Sequence, residues 1–219
     1  MSQSTPESGD GIGGNARPDL LAGQHFPPPP QQERSRRKRD ALLEAALALF
    51  AERGYEATSI EDIAHRAGVA VGGFYQHFAS KRQLLLVLMN RLLDEADALP
   101  MQLSPDQLHD PRAIIEQVVR QGLLLDWAYV GAYRAWHEAV VQDRELQELH
   151  VRIEGWTAGL IEMLLRGLQQ APGTRIDVDI VTMASIISLL FWRLAEVPLD
   201  EPDAVIASIT HLIYHALFT

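Results

Sequence analysis

The chain has 219 residues, of which 47% are hydrophobic, so it can form one small and one medium domain with a substantial core. It contains no cysteine, which excludes a disulfide scaffold or a thiolate metal site and suits a reducing cytoplasm. The longest apolar stretch, residues 180–192, is too short to cross a bilayer, so we expect a soluble cytoplasmic protein without a membrane partner.

The net charge of −10 is distributed unevenly along the chain. Residues 34–82 carry nine Lys or Arg and six Asp or Glu, giving +3, whereas residues 83–219 carry nine and nineteen, giving −10. Residues 1–33 contribute −3. Affinity for DNA comes mainly from Lys and Arg side chains that release counterions from phosphates. A basic segment on an acidic body is therefore compatible with DNA binding.

Residues 1–33 are rich in Gly, Ser, Pro and Gln and include four consecutive prolines from Pro27 to Pro30. Such a segment has too little apolar surface to offset the entropy lost on ordering. We predict a disordered tail that ends in a short polyproline II rod.

A basic run, Arg34, Arg36, Arg37, Lys38 and Arg39, directly precedes the first predicted helix. A solvated terminus is the simplest interpretation of such a run. Basic arms beside a DNA-binding helix pair, however, often reach phosphates or the minor groove. The next segment predicts such a pair, so we expect phosphate contacts here.

Residues 58–81 predict two short helices joined by a tight turn. Thr58 or Ser59 can cap the first helix, each with an acidic residue three positions later. Gly68 follows where the end of a helix favours a positive φ, and the second helix is predicted from about Val71 to Phe78. Two helices around a glycine-containing turn are typical of a helix-turn-helix.

This segment resembles the N-terminal DNA-binding domain of the TetR family of transcriptional regulators. That family carries an A-G-V-x-x-G-x-x-Y-x-H/Y-F-x-x-K run, represented here by Ala67, Gly68, Val69, Gly72, Tyr75, His77, Phe78 and Lys81. The similarity extends upstream through residues 45–59. Two positions depart from the pattern, since the family often has Ser or Thr at Ala70 and a polar or small hydroxyl residue at Gly73.

The resemblance implies an all-α fold with two folded domains. A three-helix helix-turn-helix domain is expected over residues 34–82. A larger helical ligand-binding and dimerisation domain is expected over residues 83–219.

The second helix of the motif offers two kinds of DNA contact. Gln76 suits a bidentate contact to adenine and Val71 suits a thymine methyl group. Two glycines would let backbone N–H groups approach phosphates, and the resemblance assigns Tyr75 a positioning role. The complete predicted DNA-binding set is Arg36, Arg37, Lys38, Ser59, Val71, Gly72, Gly73, Tyr75, Gln76, His77 and Lys81.

Helical periodicity continues to the end of the chain. A fourth helix is predicted from Lys81 to about Ala98, followed by a connecting loop over residues 101–110. Further helices are predicted near residues 112–128, 131–141, 144–170, 177–196 and 202–218.

The two C-terminal helices predict a subunit interface. Residues 180–192 are apolar on nearly every face, so a helix there must be covered on both sides. The pair resembles the helices with which TetR-family proteins build a four-helix dimer interface. The implied partners are a second copy of the chain and a double-stranded, palindromic DNA operator with two half-sites.

Aromatic residues of the C-terminal body predict a pocket for a small apolar or aromatic effector. The alternative is an aromatic core without a cavity. The predicted ligand-binding residues are Trp127, Tyr133, Trp136, His137, Trp156, Met163 and Trp192.

Catalytic and metal-binding patterns are weak in this sequence. His211 and His215 have the spacing of a helical metal pair, but Leu212 stands where an HExxH motif requires Glu. There is no P-loop, no G-x-S-x-G and no Cys nucleophile. We therefore expect no metal, no cofactor and no enzymatic activity, and predict a repressor that an effector releases from DNA. The alternatives are an activating or ligand-independent regulator, and an all-α enzyme or binding protein with a vestigial helix-turn-helix.

Overall fold

The computed structural model describes residues 16–27, 32–99, 103, 108–196 and 201–218. Within these ranges the chain forms nine α-helices and no β-strand, which confirms the predicted all-α fold. The helices are α1 (Glu33–Arg53), α2 (Ile60–Arg66), α3 (Val71–Tyr75), α4 (Lys81–Asp97), α5 (Pro111–Ala128), α6 (Val130–Val140), α7 (Arg144–Leu168), α8 (Ile180–Leu194) and α9 (Pro202–Leu217).

None of these helices, over the parts of the chain just given, is long and apolar enough to cross a membrane. The predicted connecting loop over residues 101–110 and the prolines at 28–30 lie mostly outside the described residues.

The first three helices form the predicted helix-turn-helix around a small core that includes Phe50, Ile63 and Phe74. Of the two possible caps for α2, Ser59 is the one used, because its hydroxyl accepts from the Asp62 N–H at 3.0 Å. Gly68 has a φ of 66°, as expected for a glycine that ends a helix.

Helix α3 ends at Tyr75, so the prediction that it continues to Phe78 is wrong. The His77 N–H donates to the Phe74 carbonyl at 2.9 Å, which tightens the last turn. Ala70, at the N-cap of α3, makes no side-chain capping hydrogen bond, as its departure from the family pattern predicts.

The N-terminal segment is not disordered throughout, which corrects the prediction for residues 16–27. This segment runs antiparallel to α4. Leu20 is fully buried and its N–H donates to Asn90 Oδ1 at 3.2 Å. Arg17 forms an ion pair with Asp94 at 2.6 Å. Gln83 Nε2 donates to the backbone carbonyl of His25 at 2.8 Å.

The hydrophobic interior consists of two clusters. The first contains the helix-turn-helix core together with side chains of α4, α6 and the N-terminal half of α7. The second lies between α5, the C-terminal half of α7, α8 and α9. Because packing is continuous from α1 to α4 and α6, the boundary between residues 82 and 83 remains a prediction.

Helix α6 packs lengthwise against α1 at very short range. A Cβ atom on Gly131 would stand only 1.9 Å from the backbone oxygen of Leu47. One turn later, Arg134 donates to the Ala51 carbonyl at 2.6 Å. After another turn, Glu138 accepts from the N–H groups of Tyr55 and Glu56 at 2.8 and 3.0 Å. Helix α6 therefore satisfies backbone groups at the end of α1.

We predict that Gly131→Ala destabilises the protein. In an open helix this change stabilises by up to about 1 kcal/mol, but here the added methyl group overlaps a backbone oxygen. The free energy of unfolding, measured by chemical denaturation, should fall by about 1–3 kcal/mol. Gly72→Ala is the matched control, because nothing lies within 4 Å of its Cβ position. Equal stability of wild type and Gly131→Ala would contradict the close approach of the two helices.

Candidate functional site

One face of α3 is open to solvent. Val71 is 39% exposed and Tyr75 is 51% exposed, and Gly72 and Gln76 are exposed beside them. These four positions follow the helical repeat, so they share one face. Space is also free around Gly72. The structure thus brings together four of the predicted DNA-binding residues on a surface that another molecule can approach.

The basic run occupies the first two turns of α1 and is not an arm that precedes the helix, which corrects its predicted location. Arg36, Arg37 and Lys38 are exposed there. Arg37 pairs with Glu33 at 3.1 Å, with both side chains largely in solvent. Cations at a helix N-terminus oppose the helix dipole, each at a cost of about 0.3–1 kcal/mol. A bound phosphate would offset that cost.

Two predicted DNA contacts are instead used within the protein. The Ser59 hydroxyl both accepts from and donates to Asp62, so we assign it to capping α2. The Gly73 N–H already donates to the Ala70 carbonyl at 2.7 Å, and a Cβ atom on Gly73 would overlap Val69. Gly73 therefore serves packing and turn formation, and its N–H is not available to a phosphate.

His77 is buried, with 5% exposure, so its predicted contact with DNA is wrong for this conformation. Burial, followed by the charges of Arg39 and Lys38, lowers the pKa of His77 and favours the neutral ring. The ring lies against Phe78, in the core of the helix-turn-helix.

Lys81 also faces inward, which corrects its predicted role as a free cation for phosphate. Its ammonium group donates to the carbonyls of Tyr55 and Thr58 at 2.6 and 2.8 Å. The same group lies 4.1 Å from the centre of the Tyr55 ring. Lys81 thereby joins the N-terminus of α4 to the turn between α1 and α2.

A cavity of about 110 Å³ lies inside the body. An engineered cavity of about 150 Å³ can bind benzene, so this volume is in the range of a small organic molecule. Walls come from α4 to α9 and are mostly apolar. They include Met89 and Leu92 of α4, Asp126 of α5, Tyr133 of α6, Thr157 of α7, Ser188 and Trp192 of α8 and Ile213 of α9.

Asp126 is a buried carboxyl group in this apolar cavity, with 9% exposure. The Tyr133 hydroxyl donates to its Oδ1 at 2.7 Å. Burial raises the pKa of Asp126 to about 7, although the hydrogen bond from Tyr133 acts in the opposite direction. The protonated form of this carboxyl group is therefore favoured up to a higher pH than in an exposed aspartate.

Only Tyr133 and Trp192 of the predicted ligand-binding residues line the cavity. The prediction is wrong for the other five, because their side chains fill the core or turn outward. Trp136 and Trp156 are buried in the first cluster, and Trp136 Nε1 donates to His150 at 3.2 Å. The remaining three are Trp127, which donates to the Leu194 carbonyl, His137, which contacts Glu196, and Met163, which is 40% exposed.

The predicted ligand-binding residues are mostly aromatic and miss Asp126, although the position of this aspartate in the chain is unusual. Asp126 interrupts the apolar stretch over residues 122–128. A carboxyl group on the apolar face of a helix is rarely fully buried without a partner. Among the described residues, no group of three or more His, Cys, Asp or Glu side chains is arranged to hold a metal ion.

Comparison with known proteins gives matches along most of the chain. A family model of bacterial regulatory proteins of the tetR family matches residues 42–88. The chain is 28% identical to the HTH-type transcriptional activator FasR of Mycolicibacterium smegmatis, over 77% of this chain and 78% of that protein. It is 49% identical to the HTH-type transcriptional repressor KstR2 of Mycobacterium tuberculosis over 26% of this chain, and this alignment spans only 28% of the length of KstR2.

Solved structures share the fold. NalD of Pseudomonas aeruginosa, described as the secondary repressor of the MexAB-OprM multidrug efflux pump, gives a TM-score of 0.57 at 24% identity, covering 84% of this chain and 98% of NalD. A putative tetR family transcription regulator from Shewanella sp. PV-4 gives 0.54 at 26% identity, covering 83% of this chain and 98% of that one.

We predict that Lys81→Met lowers the free energy of unfolding, whereas Tyr75→Phe leaves it nearly unchanged. Lys81→Met removes the cation from two carbonyl groups, so the free energy of unfolding should fall by about 1–3 kcal/mol. Tyr75→Phe changes an exposed hydroxyl and should alter it by less than about 0.5 kcal/mol. Chemical denaturation measures both, and a Lys81→Met variant as stable as wild type would contradict the inward role.

Asp126→Asn should change how stability depends on pH. The native carboxyl group holds a proton between about pH 4 and 7 that the unfolded chain has released, because its pKa is raised from 3.8 to about 7. That extra proton stabilises the native protein, so the free energy of unfolding of the wild type falls as pH rises from about 4 to about 7. At pH 8 Asp126→Asn should be more stable than wild type by up to about 4 kcal/mol, with no gain below pH 4.

Denaturation at pH 4, 6 and 8 measures this difference. Asp97→Asn, which changes an exposed carboxyl group of α4, is the control and should follow the wild-type profile. A constant difference between Asp126→Asn and wild type across the three pH values would contradict the raised pKa.

Proposed function

The chain belongs to the TetR family of bacterial regulatory proteins, and we propose that it is a cytoplasmic repressor that binds operator DNA as a homodimer until a small molecule enters its cavity. The matched relatives are named as transcription regulators, which favours a non-enzymatic role. The observation that carries this proposal is that the cavity is walled by α4 and α6, the two helices that also hold the helix-turn-helix.

The DNA-binding surface consists of the open face of α3 and the basic start of α1. Val71 and Gln76 would read base edges in the major groove, while Tyr75 would position the helix on the backbone. Arg36, Arg37 and Lys38 would contact phosphates. In support, these side chains are exposed and their positive charges stand at a helix N-terminus where they are otherwise unfavourable.

The homodimer is proposed to form through α8 and α9. Several large apolar side chains on these helices point to solvent in the single chain: Val181, Ile186, Leu189, Leu190 and Leu212. Large apolar side chains left exposed on two helices in this way are typical of an interface between subunits. A twofold dimer would place two copies of α3 on half-sites about 34 Å, or a multiple of it, apart.

Release from DNA would follow from a shift between two conformations. A molecule in the cavity presses on Met89 and Leu92 of α4 and on Tyr133 of α6. Movement of either helix acts on the turn between α1 and α2, through Lys81 or through Glu138. The distance between the two copies of α3 then changes. An efficient switch requires the ligand to favour the non-binding conformation by several kcal/mol.

Activation of transcription is the second candidate. FasR, similar over 77% of this chain, is named an activator, whereas KstR2, similar over 26% of this chain, is named a repressor. Both candidates require binding to a specific DNA sequence. Transcription from a promoter that carries the selected site distinguishes them, since a repressor lowers the signal and an activator raises it.

Selection of binding sites from a random duplex pool, followed by fluorescence anisotropy, tests the proposal. We expect the selected duplex to bind at least about 1,000-fold more tightly than a scrambled duplex. Replacing both Val71 and Gln76 by Ala should abolish that preference. Replacing Arg36, Arg37 and Lys38 by Ala should weaken binding to both duplexes and reduce the slope of log affinity against log salt by about 0.9 for each phosphate that is no longer neutralised.

Arg144→Ala is the matched control for loss of a positive charge. This side chain is exposed on α7, where its partner is Glu148. Its removal should leave DNA affinity and salt dependence unchanged. Equal affinity for the selected and scrambled duplexes would overturn the regulator proposal.

A further inference from the structure

We propose that Asp126 is the specificity-determining residue of the cavity and that the cavity selects an apolar molecule carrying one protonated amine. This inference rests on the proposed function in that it concerns the same effector site. It adds the charge of the effector and names the group that recognises it.

Asp126 is the one carboxyl group among the described residues that line the cavity, and no Lys, Arg or His lines it with them. Its Oδ1 accepts a hydrogen bond from Tyr133 at 2.7 Å. Within the described part of the chain, no hydrogen bond reaches Oδ2. A buried carboxylate with a single neutral partner is poorly compensated.

The other polar groups of the cavity already satisfy one another. Thr157 Oγ1 and Ser188 Oγ lie 3.1 Å apart, and Trp192 Nε1 donates to the same threonine at 3.4 Å. Thr157 also donates to the Glu154 carbonyl at 3.0 Å. Asp126 is therefore the cavity group with the greatest capacity for a further hydrogen bond or charge.

The charge of a ligand determines whether the Asp126 carboxylate strengthens or weakens its binding. An ammonium group supplies both a hydrogen bond and a compensating charge inside an apolar enclosure, where such a contact is stronger than in water. A carboxylate or phosphate group would meet a like charge without a cation to offset it. The apolar walls and the volume of about 110 Å³ suit a body the size of one aromatic ring.

Four probes of matched shape test the proposal by calorimetry at pH 8: benzylamine, benzyl alcohol, toluene and benzoate. Benzylamine should bind at least about tenfold more tightly than toluene, and benzoate should bind most weakly. Asp126→Asn, which keeps an acceptor for Tyr133, should remove the benzylamine preference and leave toluene affinity unchanged. Toluene binding also serves as evidence that the variant retains a folded cavity.

Ser188→Ala is the control, because it removes a polar wall group without changing charge and should keep the benzylamine preference. The inference is overturned when benzylamine fails to bind, binds no more tightly than toluene, or keeps its preference in Asp126→Asn. None of these outcomes bears on operator binding, which is measured without a ligand. Loss of selectivity for the operator counts against the proposed function and leaves the probe series interpretable.

Discussion

The turn between α1 and α2 is bound from two sides, and the relation between the DNA-binding helices and the body depends on this arrangement. Its carbonyl groups accept from Lys81 of α4, and its N–H groups donate to Glu138 of α6. A short turn that satisfies its backbone through two other helices cannot keep its position when either helix moves. The close approach at Gly131 extends the same coupling along α1.

The cavity lies where these two helices meet the rest of the body. Its walls are mostly apolar, and Asp126 costs free energy there when it is ionised and uncompensated. In the proposed effector site, a positively charged ligand would remove that cost. In that proposal, selectivity and a conformational response come from the same buried group, as is common at functional sites.

The sequence predicted those features that repeat or follow a known motif. Helices α5 to α9 followed from apolar spacing to within a few residues, and the helix-turn-helix followed from its glycine and capping pattern. The positions of individual side chains depended on contacts between distant segments. Lys81 turns inward because carbonyls of another turn lie beside it, and Trp136 fills the core. Linear patterns contain no information on such pairings.

The packed N-terminal segment has a consequence for the order of folding. Leu20 bonds to Asn90, a residue 70 positions later in the chain. At synthesis rates of about 5–20 residues per second, this segment therefore waits several seconds before its binding surface on α4 has been made. Until then Leu20 is exposed, and closing so long a loop carries an entropic cost. The segment therefore docks only after α4 has been synthesised, although it precedes α4 in the chain.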